Sequence, residues 1–250
     1  MNAAWRSFAE ELARWGDAGR RADFWWRDDD ATRASPALER LVRLSASVPV
    51  ALAVVPADAE ASLGAALAAT VDVLQHGGDH RNRAAPGEKK NEFPPAEAAA
   101  GLARIAAGRA RLAGLLADRF VPVFAPPWNR MSPGLVGALA GAGLRGLSRF
   151  GARAAAHAAP GLPQINTHVD VIAWREGKSF AGEEAVLGAA VRHLAAKRSG
   201  AADKDEPTGW LTHHAVHDPG TWDFLERLIE MTLRTPSVRW RAARDLFGLA

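Results

Sequence analysis

Short apolar runs alternate along the chain with longer alanine- and leucine-rich stretches of helical period. The runs Phe24–Arg27, Val48–Val55, Val71–Gln75, Val121–Ala125, Arg145–Arg149, Ile165–Trp174, Gly209–Thr212 and Val238–Trp240 read as strands. Between them Ala4–Trp15, Pro36–Leu44, Ala57–Ala68, Pro95–Ala117, Pro133–Ala142, Glu183–Lys197, Thr221–Leu233 and Ala242–Gly248 read as helices. Ser35-Pro36 and Ser132-Pro133 each place a capping hydroxyl before a first-turn proline. Repeated strand–helix units with no long linker or internal repeat predict one parallel α/β domain over residues 1–250. Either a closed barrel or an open doubly wound sheet satisfies this order. The polar residues decide for the barrel. Asp28–Asp30, His76, Pro126–Asn129, Asp170 and His213–His214 each stand at or near the carboxyl end of a different strand. A closed barrel gathers those ends into one ring, whereas an open sheet spreads them along an edge.

Residues His76 to Pro95, HGGDHRNRAAPGEKKNEFPP, have no apolar period and form a long loop rich in ionisable groups. Loops of that length inside a compact domain are commonly functional. His76 and His80 offer two imidazoles at i, i+4, and with one carboxylate they make a ligand set that leaves open positions for water. Asp28, Asp29 and Asp30 repel one another and need a cation or a shared proton, although a solvated acidic turn or a helix cap would also tolerate them. Three histidines, His213, His214 and His217, crowd the end of one strand, and alternation sends at most one of His213 and His214 into a site. Asp170, two residues after His168, is placed to fix a histidine across the barrel mouth or to cap a turn. Trp128, after two stiffening prolines, offers a flat wall or a core ring.

Composition narrows the chemistry further. The chain has no Cys and no Tyr, which removes disulfides, thiolate nucleophiles and cysteine-based metal sites. A G-x-x-x-x-G-K-[ST] phosphate loop and a G-x-S-x-G nucleophile elbow are both missing. Metal-activated water is the chemistry left standing. The net charge is only +3, and the sequence pI of about 9.8 follows from having few groups that titrate near pH 10, so it does not argue for nucleic acid. Residues 101–160 carry eight arginines and one acid, Asp118. That stretch could attract an anionic partner, although arginine- and alanine-rich helices from a codon-biased genome give the same count. No apolar run approaches bilayer length and the first residues lack a signal-like core. The expectation is a cytoplasmic protein with a small-molecule or oligosaccharide substrate, no nucleic-acid or membrane partner, and an oligomeric state the sequence does not specify.

An Asp pair after the first strand, H-x-x-x-H after a later one, a Pro-containing loop, an Asp…Trp segment and a strand ending in His follow in order from Phe24 to Asp218. This series resembles the polysaccharide deacetylases, the metal-dependent carbohydrate esterases of family 4. The W-R-D-D-D, Q-H-G-x-x-H-x-N and G-E-K-K-x-E-F segments look like a divergent cytosolic branch of that superfamily. The resemblance implies a distorted (β/α) barrel of about seven to eight parallel strands, with Val238–Leu249 as its closing strand and helix. It also implies metal-dependent hydrolysis of an N-acetyl or other N-acyl group on a carbohydrate or related small molecule. Carried over residue by residue, it makes Asp28 the general base and Asp29, His76 and His80 the metal ligands. His213, with His214 as rival, becomes the general acid, and Asp170 its partner. Trp174 lines the acyl pocket, and Trp128 and Asn129 contact substrate. The implied cofactor is one divalent ion, zinc in the first instance, with cobalt, nickel and iron also suited to an Asp-His-His set. Two departures stand out. Ala125 occupies the place of the Arg that holds the family's base, for which Arg27 and Arg130 are the available substitutes. Asp30 follows the Asp pair where a small residue is usual, which leaves a one-residue shift open. Hydrolysis of another amide or a phosphoester, or a silent sugar-binding role, are the rival readings.

Overall fold

The structure is a computed structural model that describes residues 2–249. Its strands are β1 (Ala22–Ala31), β2 (Val50–Val54), β3 (Val71–His76), β4 (Phe120–Ala125), β5 (Gly146–Leu147), β6 (His157–Ala159), β7 (Leu162–Pro163), β8 (Val169–Asp170), β9 (Ile172–Ala173), β10 (Ser179–Phe180), β11 (Thr208–Thr212) and β12 (Val238–Trp240). Eight form one parallel sheet in the order β5-β4-β3-β2-β1-β11-β8, with β12 beside the start of β1. β6–β7 and β9–β10 are small antiparallel hairpins. Segment 164–167 bridges the two ends of the large sheet. Ile165 and Thr167 donate backbone hydrogen bonds to Leu147 and Arg149, and His168 donates to Gly209 on β11. The sheet therefore curls into a distorted (β/α) barrel.

The helices are α1 (Ala3–Asp17), α2 (Pro36–Leu44), α3 (Ala61–Ala66), α4 (Ala98–Leu116), α5 (Pro133–Val136), α6 (Glu183–Ser199), α7 (Pro219–Leu233) and α8 (Ala243–Leu246). Several expected elements come out shorter, α3 among them, which spans Ala61–Ala66 against the expected Ala57–Ala68. The stretch from Ile165 to Trp174 breaks into β8 and β9, because Asp170 turns its carboxylate onto the Ile172 N–H and ends the first ladder. α5 stops at Val136, six residues short of the expected end at Ala142.

Strand alternation sorts the core into two layers. Phe24 and Trp26 of β1, Val71 and Val73 of β3, and Trp210 of β11 face outward to the helices. Trp25, Leu74, Val121, Val123 and Ala125 face inward with Phe247. Gly209 lets β11 pass Trp25, whose Nε1 would lie 2.4 Å from an added Cβ. On β1 the same period assigns Arg27 and Asp29 to the inner face and Asp28 to the outer one. That phase decides the site.

Candidate metal and catalytic site

A cleft of about 1000 Å³ opens at the carboxyl ends of the strands, lined by Asp29, Asp30, His76, His80, Trp128, Asn129, Asp170, Trp174 and His213 among others. β1 ends here in a register break between Asp28 and Ala31, with Asp30 at φ 68°. Regular pleating would turn Asp30 outward beside Asp28. The break and the left-handed backbone, which Asp tolerates better than most residues, turn it into the cleft instead. Among the described residues, five non-glycine residues have positive φ: Asp30, His80, Trp128, Asn129 and Lys178. All five line this cleft. Uncommon backbone conformations cluster where a fold places side chains for function.

Three ligand atoms converge. Asp30 Oδ1 lies 3.2 Å from His76 Nε2 and 3.3 Å from His80 Nε2. It is buried and accepts no hydrogen bond. His76 Nδ1 donates to the Ala125 carbonyl at 3.0 Å, so its Nε2 keeps a lone pair directed at Asp30. Burial and the nearby His76 lower the His80 pKa, which favours the neutral ring a metal needs. At His76 burial also disfavours the cation, but Asp29 and Asp30 outweigh it and raise the pKa, an attraction that a metal cation would take over. Ligands about 2.1 Å from a tetrahedral ion stand roughly 3.4 Å apart, close to the observed spacings. The residues present fit a divalent cation.

The His80 end of this group is held by a residue that pattern reading missed. Glu92, fully buried, accepts the backbone N–H groups of Gly78, Asp79 and His80 at 2.9, 3.0 and 3.1 Å. Its carboxylate cinches the two ends of the long loop together. Gly77, at φ 66°, makes that approach possible, since an added Cβ would sit 2.2 Å from Glu92 Oε2. The signal was present in G-E-K-K-x-E-F, but nothing local says which backbone a glutamate will cap.

Arg27 and Asp29, two residues apart on the inner face of β1, form a bidentate pair at 2.8 and 2.9 Å. The guanidinium is fully buried and also donates to Ser148 Oγ and Asn129 Oδ1. Ala125 contributes only its backbone carbonyl, to His76 and to Gly77 N–H. The guanidinium that holds Asp29 thus comes from β1 itself and not from the loop after β4.

Asp28 sits elsewhere. It is fully buried on the outer face and does not line the cleft. Oδ2 accepts from Thr212 Oγ1 at 2.6 Å and from His214 N–H at 2.9 Å, while Oδ1 accepts from His214 Nδ1 at 2.5 Å. Burial opposes its charge, but His214 and Thr212 outweigh burial and hold its pKa below the ordinary carboxylate value; the same pairing raises His214 against burial. Asp28 and His214 therefore form a closed pair behind the strands, and the geometry does not give them the base and acid positions expected for them. Asp29 is likewise not grouped with His76 and His80; Asp30 takes that place.

The remaining expected residues reach the cleft. His213 faces in, opposite in phase to His214, with its Nδ1 buried and without a partner. Its ring meets the Trp174 ring at 4.5 Å, and Trp174 Nε1 donates to Asp170 Oδ2 at 2.8 Å. Burial raises the Asp170 pKa, opposed by His213 and by the Ile172 and Trp174 N–H donors. Trp128 lies against His80, with centroids 4.6 Å apart.

A second group, His168, His193 and Glu206, is also compact and buried. It does not suit a metal. His168 Nδ1 accepts the Gly209 N–H, so the neutral ring carries its proton on Nε2, the atom facing Glu206 at 3.2 Å. The two imidazoles stack at 3.5 Å rather than converging, and both Glu206 oxygens already accept backbone N–H groups, from Asn166 and Arg153.

No protein-family model and no curated protein sequence matches this chain. Solved structures do. A Streptococcus mutans family 4 carbohydrate esterase superposes with a TM-score of 0.57 at 13% identity, covering 94% of this chain and 90% of that one. The chain has the polysaccharide deacetylase fold. A peptidoglycan N-acetylglucosamine deacetylase shares that fold with a TM-score of 0.53 at 15% identity over 96% of this chain and 98% of the other. So does a Clostridium thermocellum family 4 acetyl xylan esterase in complex with a cobalt ion, with a TM-score of 0.50 at 14% identity over 91% of each chain. The polysaccharide deacetylase fold places its strand ends around the cleft just described. No helix among the described residues is long and apolar enough to cross a membrane.

Proposed function

We propose that this protein is a metal-dependent hydrolase that removes an N-acetyl or related N-acyl group from a carbohydrate or similar small molecule. The observation that carries the proposal is the buried, unpartnered Asp30 Oδ1 facing two imidazole Nε2 atoms beside a carboxylate already oriented by arginine. Asp30, His76 and His80 would hold the divalent ion, which when bound acidifies water and polarises an acyl oxygen.

The chain's own groups supply the rest. Asp29, fixed by the two Arg27 bonds, takes the proton from the attacking water, in place of Asp28. In the loop that follows β4, Pro126 and Pro127 have no N–H and the Asn129 N–H is spent on Pro126, so the Trp128 amide is the loop's candidate oxyanion donor. His213, whose rival His214 is turned away, donates a proton to the departing amine, and Asp170 stabilises its charged form. Trp174 and Trp128 flank the acyl and sugar positions. The peptidoglycan N-acetylglucosamine deacetylase and the cobalt-bound esterase among the structural relatives support an acyl substrate and a transition metal. The ground for a silent site was Ala125, and Arg27 supplies the guanidinium that Ala125 does not. The test is acetate release from a panel of N-acetyl sugars by zinc- and cobalt-loaded protein, with metal content measured in parallel. Stoichiometric metal with no release from any N-acyl sugar would refute the reading.

A further inference from the structure

The basic stretch at residues 101–160 finds a use in the fold. Of its eight arginines, Arg104 and Arg153 form ion pairs with Glu97 and Asp203. Arg109, Arg111 and Arg119 are spent on the backbone carbonyls of Gly143, of Pro56 and Ala59, and of Ala68. Arg130, Arg145 and Arg149 have no carboxylate partner among the described residues; Arg145 is exposed, and Arg130 and Arg149 border the cleft system. Arg149 lines a side cavity of about 410 Å³ beside the main cleft, with Asn129 and Phe150 walling both.

Arg149 is the informative one. It is half-buried, yet its side chain has a single acceptor, Gln164 Oε1 at 3.1 Å. Burial, with no compensating carboxylate, lowers its pKa. A partly desolvated guanidinium is costly unless an anion completes it. No residue lining the side cavity is acidic; its polar wall is Asn129, Gln164, Asn166, His157 and Arg153. Phe150, 46% exposed despite its size, stands at the junction as an apolar face for a sugar ring. The reaction centre is one residue away, since Asn129 bonds Arg27, which holds Asp29. Among the residues lining the cleft, the exposed Lys90, Arg175 and Lys178 also lack carboxylate partners among the described residues, while the acids Asp29, Asp30 and Asp170 are buried or half-buried.

We infer that the substrate is an anionic N-acylated amino sugar, with its phosphate or carboxylate group seated on Arg149 in the side cavity while the acyl group lies over Asp30, His76 and His80. The inference rests on the N-acyl hydrolase reading for the identity of the sugar, but the charge site is testable without turnover. Calorimetric titration of zinc-loaded D29N protein with N-acetylglucosamine, its 1- and 6-phosphates and N-acetylmuramic acid reads the discrimination directly. The expected result is binding of at least one anionic sugar about tenfold or more tighter than the neutral one at low salt, a gap that narrows as salt rises. R149Q in the same background should close that gap to about twofold, and R149K should keep part of it, lacking the planar fork. Preference for the two phosphates or for the lactyl carboxylate identifies the anion. Equal affinity for neutral and anionic sugars, no binding of any anionic sugar, or a gap that R149Q leaves intact overturns the inference. Anion-selective binding with no acetate released by the wild-type holoenzyme would instead keep the anion site and remove the hydrolase reading.

Discussion

Asp28 and Asp29 are adjacent, both buried, and differ in what they do. D28N removes the carboxylate that accepts from Thr212, the His214 amide and His214 Nδ1. The amide can keep one acceptor oxygen, so the loss is the charge-assisted bond to His214 and one donor left facing an NH₂ group, roughly 3 kcal/mol. For a chain of this size that lowers the melting temperature by roughly 6–12 °C. D29N leaves the fully buried Arg27 without its counter-charge and costs a comparable amount, roughly 3 kcal/mol. Stability alone therefore does not separate the two variants. Turnover does. Measured well below both melting temperatures on metal-loaded protein, D29N should lose at least about a hundredfold in kcat, the scale of a missing general base. D28N, altered only behind the strand, should stay within about fivefold of wild type. The assay is acetate release normalised to folded, metal-replete protein. A well-folded D28N as inactive as D29N would refute the phase argument and return the base to Asp28.

Further outcomes follow from the same geometry. D30A should lower metal affinity by at least about a hundredfold, read by chelator competition, while leaving the Arg27–Asp29 pair in place; unchanged affinity would remove Asp30 from the ligand set. E92Q should weaken metal binding about tenfold or more through His80, because one of the oxygens accepting the loop N–H groups becomes a donor, and affinity equal to wild type would show that the loop holds itself. His193 is buried with its pKa pushed down to about 2, chiefly by burial and then by His168 and Lys197. The unfolded chain binds that proton below about pH 6.5 and the folded chain does not, so stability should fall by about 1.4 kcal/mol per pH unit as pH drops below 6.5. Urea unfolding at successive pH values should show this slope reduced in H193Q, and an unchanged slope would assign the acid limb to other groups. His214 works in the opposite direction. Its raised folded pKa means the stability from the Asp28 pair is fully present below about pH 6.5 and lost as pH rises through that raised value, a decline that H214Q should lack.

Much of this site was legible from alternation. In FWWRDDD alternation puts Arg27 and Asp29 on one face of the strand and Asp28 on the other, but with Phe24, Trp25 and Trp26 all apolar it does not say which face is the inner one. In GWLTHH alternation separates His213 from His214, and the structure puts His213 inside. The Asp30 position was not legible, because the register break that turns it inward depends on how β1 meets β2. Glu92 was hidden for a similar reason. Its partners lie 12 to 14 residues away across a loop with no periodic signal.

Local pattern by itself determined the parallel α/β class, the strand ends as the place of the clustered polar residues, and that any transition-metal site would be built from histidine and carboxylate, cysteine being absent. It did so because strand period, helix period and residue chemistry are properties of neighbouring positions. Only the tertiary structure decided which of three consecutive aspartates joins His76 and His80, which pairs with arginine and which closes a buried pair. It also decided that Arg27 is the guanidinium that holds Asp29, and that Arg149 is left half-buried without a counter-charge. Those outcomes depend on bonds between strands and loops more than a hundred residues apart, such as Arg27 to Ser148 and Asp28 to His214. Separation of that kind leaves no trace in local periodicity.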